Sequence, residues 1–140
     1  RELAARYEPS AELADRLWKE RSREGRILAT LLHPRPSFSP DKADTWLDAC
    51  SVPELREQLC FNLLQHLDYA PDKAADWISQ PSPGRKTGGY TLALRLILSK
   101  KELPDLAGLI RSAESDQHAE PYFLRLTASR FFERATFGNP

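Results

Sequence analysis

The chain has 140 residues, 41% of them hydrophobic and 29% charged, a composition that allows one domain with a hydrophobic core and excludes a disordered protein. Its twenty cations balance twenty anions, so net charge alone does not indicate a polyanionic partner. The charges are unevenly placed, because residues 41–76 carry three cations and eight anions, whereas residues 77–101 carry five cations and no anion. Residues 77–101 are therefore a purely basic segment that follows an acidic one.

Several classes of protein are disfavoured by what the sequence lacks. No apolar run approaches the length that spans a bilayer, and residues 1–30 alternate charges instead of forming a signal peptide. Cys50 and Cys60 make neither a disulfide framework nor a metal motif, and we expect them to be small buried residues in a reducing compartment. Because the chain contains no Met, we expect it to be part of a longer protein whose upstream elements are missing.

The first two helices are predicted from apolar residues that recur at steps of three and four. Ser10 is a suitable N-cap for a helix over Ala11–Lys19. A second, shorter helix is predicted over Ile27–Leu32, and the dipeptide His33-Pro34 ends it.

Proline marks the start of the next two helices. Ser39 is predicted to cap a helix that begins at Pro40, a position where the missing N–H costs nothing. Pro53 begins a longer helix, and we expect apolar residues from Leu55 to Leu67 to line one face of it.

The rest of the chain is also predicted to be helical. Further helices are expected at about 71–79, 87–100, 104–115 and 121–136, and prolines 71, 104 and 121 stand at their starts. β-Branched residues are few and show no sustained alternation, so no strand is predicted. The predicted fold class is all-α.

One motif occurs twice. PDKADTW at Pro40–Trp46 and PDKAADW at Pro71–Trp77 are near copies that begin 31 residues apart, and each opens a short helix followed by an apolar one. Trp18 is a candidate marker of an earlier, more diverged copy. The repeat predicts helix pairs stacked into an α-solenoid, although chance similarity between two helix starts is the alternative.

The stretch PSPGRKTGGY, at Pro81–Tyr90, raises the question of phosphate binding. A phosphate-binding P-loop requires a glycine directly before the lysine and a preceding strand. Arg85 precedes Lys86 instead, and no strand is predicted there. The stretch is therefore not predicted to bind a nucleotide.

The same stretch is predicted to be a turn that opens a helix. Gly84 would supply the turn, while Gly88 and Gly89 would allow close helix packing. Arg85 and Lys86 would stand beside free N–H groups at the helix start, a combination that can hold a phosphate of a polymer backbone.

The basic segment continues beyond this turn. Arg95 follows Lys86 by nine residues, and we expect the two to share roughly one helix face, with Lys100 and Lys101 further along. An ordinary solvated helix face is the alternative interpretation of each cation.

Two carboxylates lie side by side after Pro53. Glu54 and Glu57 are three residues apart on the predicted helix, so they could act as an acid and a base. Compensation of the helix dipole is the commoner explanation of acidic residues at such a position.

The histidines and tryptophans do not form a predicted catalytic or metal site. None of the histidines has a partner at metal-ligand spacing, and the tryptophans occupy predicted core positions. These residues are His33, His66, His118, Trp18, Trp46 and Trp77.

Several segments, taken together, resemble the DNA alkylation repair family, the HEAT-like repeat alkylpurine DNA glycosylases. The resemblance covers most of the chain as a pattern of segments in order, and we expect the family's N-terminal helices to have no counterpart in it. It is carried by ELADRLWKERSREGRILATLL, FSPDKADTWLDACSVPELREQLCFNLL, APDKAADWI, RKTGGYTLALRLI and RFFERATFGNP.

The resemblance implies an α-solenoid that cups duplex DNA on a concave basic surface. Active members release alkylated purines, and a carboxylate with electron-rich aromatic faces stabilises the developing sugar cation. The family's Asp position matches Glu57, its Trp one turn earlier matches Pro53, its Arg falls at about Lys86 or Thr87, and its last-helix Trp falls at about Arg130. Only the carboxylate of that catalytic set is retained.

We therefore expect residues 1–140 to form a single HEAT-like repeat domain of a divergent subgroup that binds duplex DNA. Catalysis of N-glycosidic bond cleavage would be weak or absent, with Glu57 as the catalytic carboxylate if it occurs. A protein-interaction scaffold is the alternative. We expect a cytoplasmic monomer without a metal, cofactor or membrane partner, a protein partner being left open. The predicted contacts to DNA phosphates are Arg85, Lys86, Arg95 and Arg130.

Overall fold

Serine hydroxyls begin helices where the sequence predicted them. The structure is a computed structural model, and it describes residues 8–137. Ser10 Oγ accepts a hydrogen bond from the Leu13 N–H at 3.1 Å, and Ser39 Oγ accepts one from the Lys42 N–H at 3.1 Å. Residues 138–140, the end of the last segment that carries the family resemblance, lie outside the described range.

The described residues form α-helices and two short 3-10 turns, without a strand, so the all-α prediction is confirmed. None of these helices combines the length and the apolar character needed to cross a bilayer. The helices are α1 (Ala11–Lys19), α2 (Arg23–Leu32), α3 (Pro40–Asp48), α4 (Pro53–Asn62), α5 (Ala70–Ser79), α6 (Pro83–Leu98), α7 (Leu106–Asp116) and α8 (Tyr122–Phe137).

Three of the prolines stand slightly off the predicted first helical position. Pro71 is the second residue of α5, and Pro121 immediately precedes α8. Pro104 precedes Asp105, whose carboxylate accepts a hydrogen bond from the Gly108 N–H at 3.2 Å and so caps α7. Proline still marks where each helix begins, because it tolerates only the first turn.

The prediction of one long helix from Pro53 to Leu67 was wrong. Helix α4 ends at Asn62, because Leu63 leaves the helical region with φ −126° and ψ −61°. A short 3-10 turn, Leu64–His66, follows. The leucines at the break are buried, so burial compensates for the lost helical hydrogen bonds.

The glycine-rich stretch was also predicted wrongly in its local structure. Helix α6 begins at Pro83, with Ser82 as its cap, so the two cations and all three glycines are helical. Gly84 is not a turn residue, and no described glycine has a positive φ. Gly89 does serve helix packing, because a Cβ there would lie only 2.7 Å from Ile78 Cγ1.

The chain divides into two compact units between Leu67 and Asp68. In the first unit, which holds α1 to α4, α2 packs against both α1 and α4. The Trp18 and Trp46 rings stack with centroids 4.0 Å apart and 7° between their planes, which joins α1 to α3. Phe38 and His33 pack edge-on around Trp46.

The second unit, which holds α5 to α8, has two layers. Helices α6 and α8 pack side by side, as do α5 and α7, while α5 packs on α6 and α7 on α8. Trp77 and Tyr90 are fully enclosed, and the Tyr90 ring lies 5.7 Å from the Phe131 ring. We call the two layers the α6/α8 layer and the α5/α7 layer.

The duplicated motif opens equivalent helices. Pro40–Trp46 begins α3 and Pro71–Trp77 begins α5, and each helix is followed by another one, α4 or α6. Trp46 is 3% exposed and Trp77 is 0% exposed. The tryptophans of the motif are therefore packing residues, as predicted. The repeated feature is the start of the helix, because α5 packs closely on α6 whereas α3 does not pack extensively on α4.

Candidate nucleic-acid interface

Charge is segregated between the two layers of the second unit. The α6/α8 layer carries six cations, three on each helix, and a single anion, Glu133. In the α5/α7 layer each helix carries one cation and two anions. The α6/α8 layer is thus a candidate surface for a polyanion. Its cations are Arg85, Lys86, Arg95, Arg125, Arg130 and Arg134.

Lys86 is engaged inside the protein. Its ammonium donates a hydrogen bond to the Ile78 carbonyl oxygen at 2.7 Å and lies 3.6 Å from Asp116 Oδ2. The Tyr90 hydroxyl donates to the same carboxylate at 2.6 Å, and burial together with Asp116 raises the pKa of Tyr90. Lys86 therefore ties α6 to α5 and α7, and its charge is largely compensated.

Arg85 and Arg95 are both half-buried on α6. Arg85 Nη1 donates to Gln80 Oε1 at 3.1 Å. The expectation that Lys86 and Arg95 share a helix face was wrong, because nine residues are two and a half helical turns and place them on opposite sides of α6.

The exposed cations of the layer are on α8. Arg130 and Arg134 are both exposed, and neither forms a hydrogen bond or an ion pair through its side chain with any described residue. Their four-residue spacing places them on one helix face, where like charges slightly destabilise the helix. Sequence reasoning identified Arg130 and missed Arg134, although this spacing was visible.

Arg134 borders a surface depression of 460 Å³. Lys100 and Lys101, which follow the end of α6, line the same depression together with Glu102. The depression thus brings the end of the basic segment beside α8. Its apolar lining consists of Ile97, Leu103, Leu106 and Ala135.

Arg125, the remaining cation of α8, has a structural role. Its Nη1 donates to the carbonyl oxygens of Ala119 at 2.9 Å and Glu120 at 3.2 Å, and its guanidinium lies over the Tyr122 ring. It therefore fixes the segment that leads into α8.

In the first unit, the two neighbouring carboxylates of α4 differ in their surroundings. Arg23 binds Glu54 with two hydrogen bonds, one of them 2.7 Å from Nε to Oε1, and this holds the pKa of Glu54 below its usual range. Glu57 is exposed, and no described residue binds its carboxylate. Glu54 is thus occupied by an ion pair, and only Glu57 is available to a ligand.

Glu57 has little aromatic surface around it on α4. Pro53 lies one turn before it and Phe61 one turn after it, and Phe61 is 40% exposed. Trp18 and Trp46 are stacked on each other in the core, at 6% and 3% exposure. Among the Phe, Tyr and Trp residues described in the first unit, Phe61 is the exposed one.

His33 belongs to a closed polar cluster in the first unit. Its Nδ1–H donates to the Pro34 carbonyl at 2.9 Å, and its Nε2 accepts from Lys42 Nζ at 2.8 Å. Lys42 Nζ also lies 2.7 Å from Asp15 Oδ1. Burial lowers the pKa of His33, so the ring is neutral and structural. No group of three metal-ligating side chains occurs within residues 8–137.

Comparison with known proteins identifies the fold. No model of a known protein family matches the sequence, and no curated protein matches it significantly. One solved structure, from work described as "A new family of proteins related to the HEAT-like repeat DNA glycosylases with affinity for branched DNA structures", matches with a TM-score of 0.82 at 16% sequence identity. The match covers 94% of this chain and 57% of that chain. The chain therefore has a HEAT-like repeat fold and spans little more than half the length of that neighbour.

Proposed function

We propose that this protein binds DNA and that Arg130 and Arg134 on α8 contact the phosphate backbone. The observation that carries the proposal is the pair itself: two exposed guanidiniums without protein partners, on a layer with six cations and one anion. Guanidinium groups suit phosphates because their forked N–H groups match the phosphate oxygens.

The structural neighbour supports the choice of DNA as the polyanion. That neighbour belongs to a family with affinity for branched DNA, and the present chain has the same HEAT-like repeat fold. We infer that the protein binds branched as well as intact duplex DNA. Of the predicted phosphate contacts, Arg130 is the strongest candidate, whereas Lys86 and Arg85 are partly occupied by Asp116, Ile78 and Gln80.

The proposed activity is binding, without base excision. Cleavage of the N-glycosidic bond needs a carboxylate and electron-rich faces close to the sugar cation. Glu57 supplies a carboxylate, but the ring one turn before it is that of Pro53 and not an aromatic one.

Fluorescence anisotropy with labelled duplex and four-way-junction DNA tests the proposal. Affinity is expected to fall steeply between about 50 and 200 mM salt, and Arg130→Gln and Arg134→Gln should each lower the log–log salt slope by about one. Arg111→Gln is the matched control, because Arg111 is exposed on α7 in the opposite layer.

The outcomes separate the proposal from its alternative. Equal losses in Arg111→Gln and Arg130→Gln would exclude α8 as the contact surface. No binding to either DNA at low salt would exclude DNA binding and leave the protein-interaction scaffold as the remaining function.

A further inference from the structure

Arg56 on α4 is a buried cation without a partner. It is 9% exposed, and its Nε is enclosed and has no hydrogen-bond acceptor. No described residue accepts a hydrogen bond from its other nitrogens or forms an ion pair with it. Burial of Nε without an acceptor is costly, and no described anion offsets that cost.

The Arg56 side chain lies near enough to the connection that leads into α4 for its charge to act there. It is the fourth residue of the helix, and helical side chains lean toward the N-terminus. Its charge acts on the buried thiol of Cys50 in that connection. Burial raises the pKa of Cys50 to about 12, and the charge of Arg56 opposes this rise.

The start of α4 also has unsatisfied donors. Val52 occupies the N-cap position and has no side-chain oxygen, and Pro53 has no N–H. The N–H groups of Glu54 and Leu55 therefore find no acceptor among the described residues. Helices α1, α2, α3 and α6, by contrast, begin with a serine whose Oγ accepts such an N–H.

A second guanidinium lies at the same connection. Arg26 donates from Nε to the Trp18 carbonyl and from Nη1 to the Ala49 carbonyl, both at 3.0 Å, so it satisfies the ends of α1 and α3. Arg26 also acts electrostatically on Cys50. No described carboxylate pairs with Arg26 or Arg56, but carbonyl oxygens accept hydrogen bonds from Arg26 and none does so from Arg56.

The fourth residue of α6 shows what Arg56, the fourth residue of α4, lacks. Lys86 is the third residue after Pro83, as Arg56 is after Pro53. Lys86 has the Ile78 carbonyl as an acceptor and Asp116 as a counter-ion. Arg56 has neither, so the fourth residue has an internal partner in α6 and none among the described residues in α4.

We propose that the start of α4 binds a phosphate-type oxyanion through Arg56 and the N–H groups of Glu54 and Leu55. The oxyanion is either free phosphate or a phosphate of the DNA backbone. The DNA source rests on the proposed function, whereas binding of free phosphate does not. A helix start, with its partial positive charge, and a guanidinium are together a suitable receptor for this group.

The first experiment uses the full chain and inorganic phosphate. Thermal unfolding is measured in phosphate and in chloride at equal ionic strength, for the native protein and for Arg56→Met. We expect phosphate to raise the Tm of the native protein and not of Arg56→Met. In chloride, Arg56→Met should be at least as stable as the native protein, because an unpaired buried charge has been removed. Arg16→Met is the control, since Arg16 is an exposed residue of α1.

The second experiment identifies the source of the oxyanion. If a DNA phosphate occupies the site, Arg56→Met lowers the log–log salt slope of DNA binding by about one, and phosphate competes with DNA. If only free phosphate binds, the slope is unchanged while the Tm difference persists.

Distinct results overturn the inference and the proposed function. Two results would overturn the oxyanion site. The first is an equal phosphate-induced rise of Tm in Arg56→Met and the native protein. The second is the absence of any phosphate effect on Tm, together with a salt slope of DNA binding that is the same in Arg56→Met and the native protein. A phosphate effect that depends on Arg56, in a protein that binds no DNA, would support the site and overturn DNA binding. Arg56→Lys is a second variant that keeps the charge but not the forked donors, and it should retain only part of the Tm rise.

Discussion

The ammonium of Lys86 lies 3.6 Å from the Asp116 carboxylate, and both side chains are largely enclosed, at 20% and 17% exposure. The contact joins α6 to α7, thirty residues apart along the chain. Because Tyr90 donates to the same carboxylate, Asp116 is the centre of a polar cluster in the second unit. Lys86, which the sequence predicted as a contact to DNA phosphates, is therefore engaged inside the protein.

The first prediction concerns this cluster. Lys86→Met keeps the apolar stem but removes the charge, leaving the Ile78 carbonyl and one side of Asp116 without a donor. We expect it to lower the free energy of unfolding by about 1–3 kcal/mol. Urea denaturation measures this loss, with exposed Lys19→Met as the control. A stable Lys86→Met protein with strongly weakened DNA binding would show that Lys86 is a phosphate contact instead.

The second prediction concerns Glu57. With no aromatic face one turn before it, its carboxylate alone should not stabilise the sugar cation enough for base excision. Incubation with duplex DNA that contains 7-methylguanine should release the base at the spontaneous rate, for the native protein and for Glu57→Gln alike. Release above that rate that disappears in Glu57→Gln would establish catalysis.

The third prediction concerns His33 and pH. Burial lowers the pKa of His33 below its ordinary value of about 6.5. The hydrogen bond to the Pro34 carbonyl and the charge of Asp15 oppose this shift, whereas the charge of Lys42 adds to it. The unfolded chain therefore takes up a proton before the folded protein does. Stability should be complete above about pH 6.5 and decrease as the pH falls toward the folded-state pKa.

Denaturation curves between about pH 5 and 7 measure this dependence. His33→Gln should be less stable at neutral pH, but its stability should vary less over this range. His118→Gln is the control, because His118 is exposed. An unchanged pH dependence in His33→Gln would show that other groups cause the loss.

The fourth prediction uses two glycines of α6. A Cβ at Gly89 would lie 2.9 Å from both the Ala74 carbonyl oxygen and the Ile78 nitrogen, and backbone cannot easily move away. Gly89→Ala should therefore destabilise the protein by about 1–3 kcal/mol. A Cβ at Gly84 meets only Ser82 Oγ, at 3.8 Å, so Gly84→Ala should leave stability equal or raise it by up to about 1 kcal/mol. Thermal unfolding of the two variants compares them, and equal effects would show that α5 and α6 do not pack closely at Gly89.

Local sequence signals predicted most of the helix boundaries. Ser10 and Ser39 cap α1 and α3 as predicted, because the acceptor and the N–H that it binds are three residues apart. The break of α4 at Leu63 was missed, since apolar residues continue at helical spacing to Leu67 and fit a helix and a buried turn equally well. The early start of α6 was missed because its first residues are glycine-rich and glycine usually disfavours a helix.

The candidate sites were predicted less completely than the helices. The sequence identified the basic segment and Arg130, and the four-residue spacing could have identified Arg134 as well. It could not distinguish Lys86, which has an internal counter-ion, from Arg134, which has none. Arg56 lies near Glu54 and Glu57 in the sequence, and no sequence pattern predicted that the structure buries it.

The sequence by itself determined the all-α class, the duplicated helix opening and the uneven distribution of charge, because each depends on residues within a few positions of one another. The tertiary structure alone decided which cations are free. Asp116 reaches Lys86 from α7, whereas no described carboxylate reaches the largely buried Arg56. The interaction of a charge depends on distance and burial, and both are set by contacts between helices far apart in the chain.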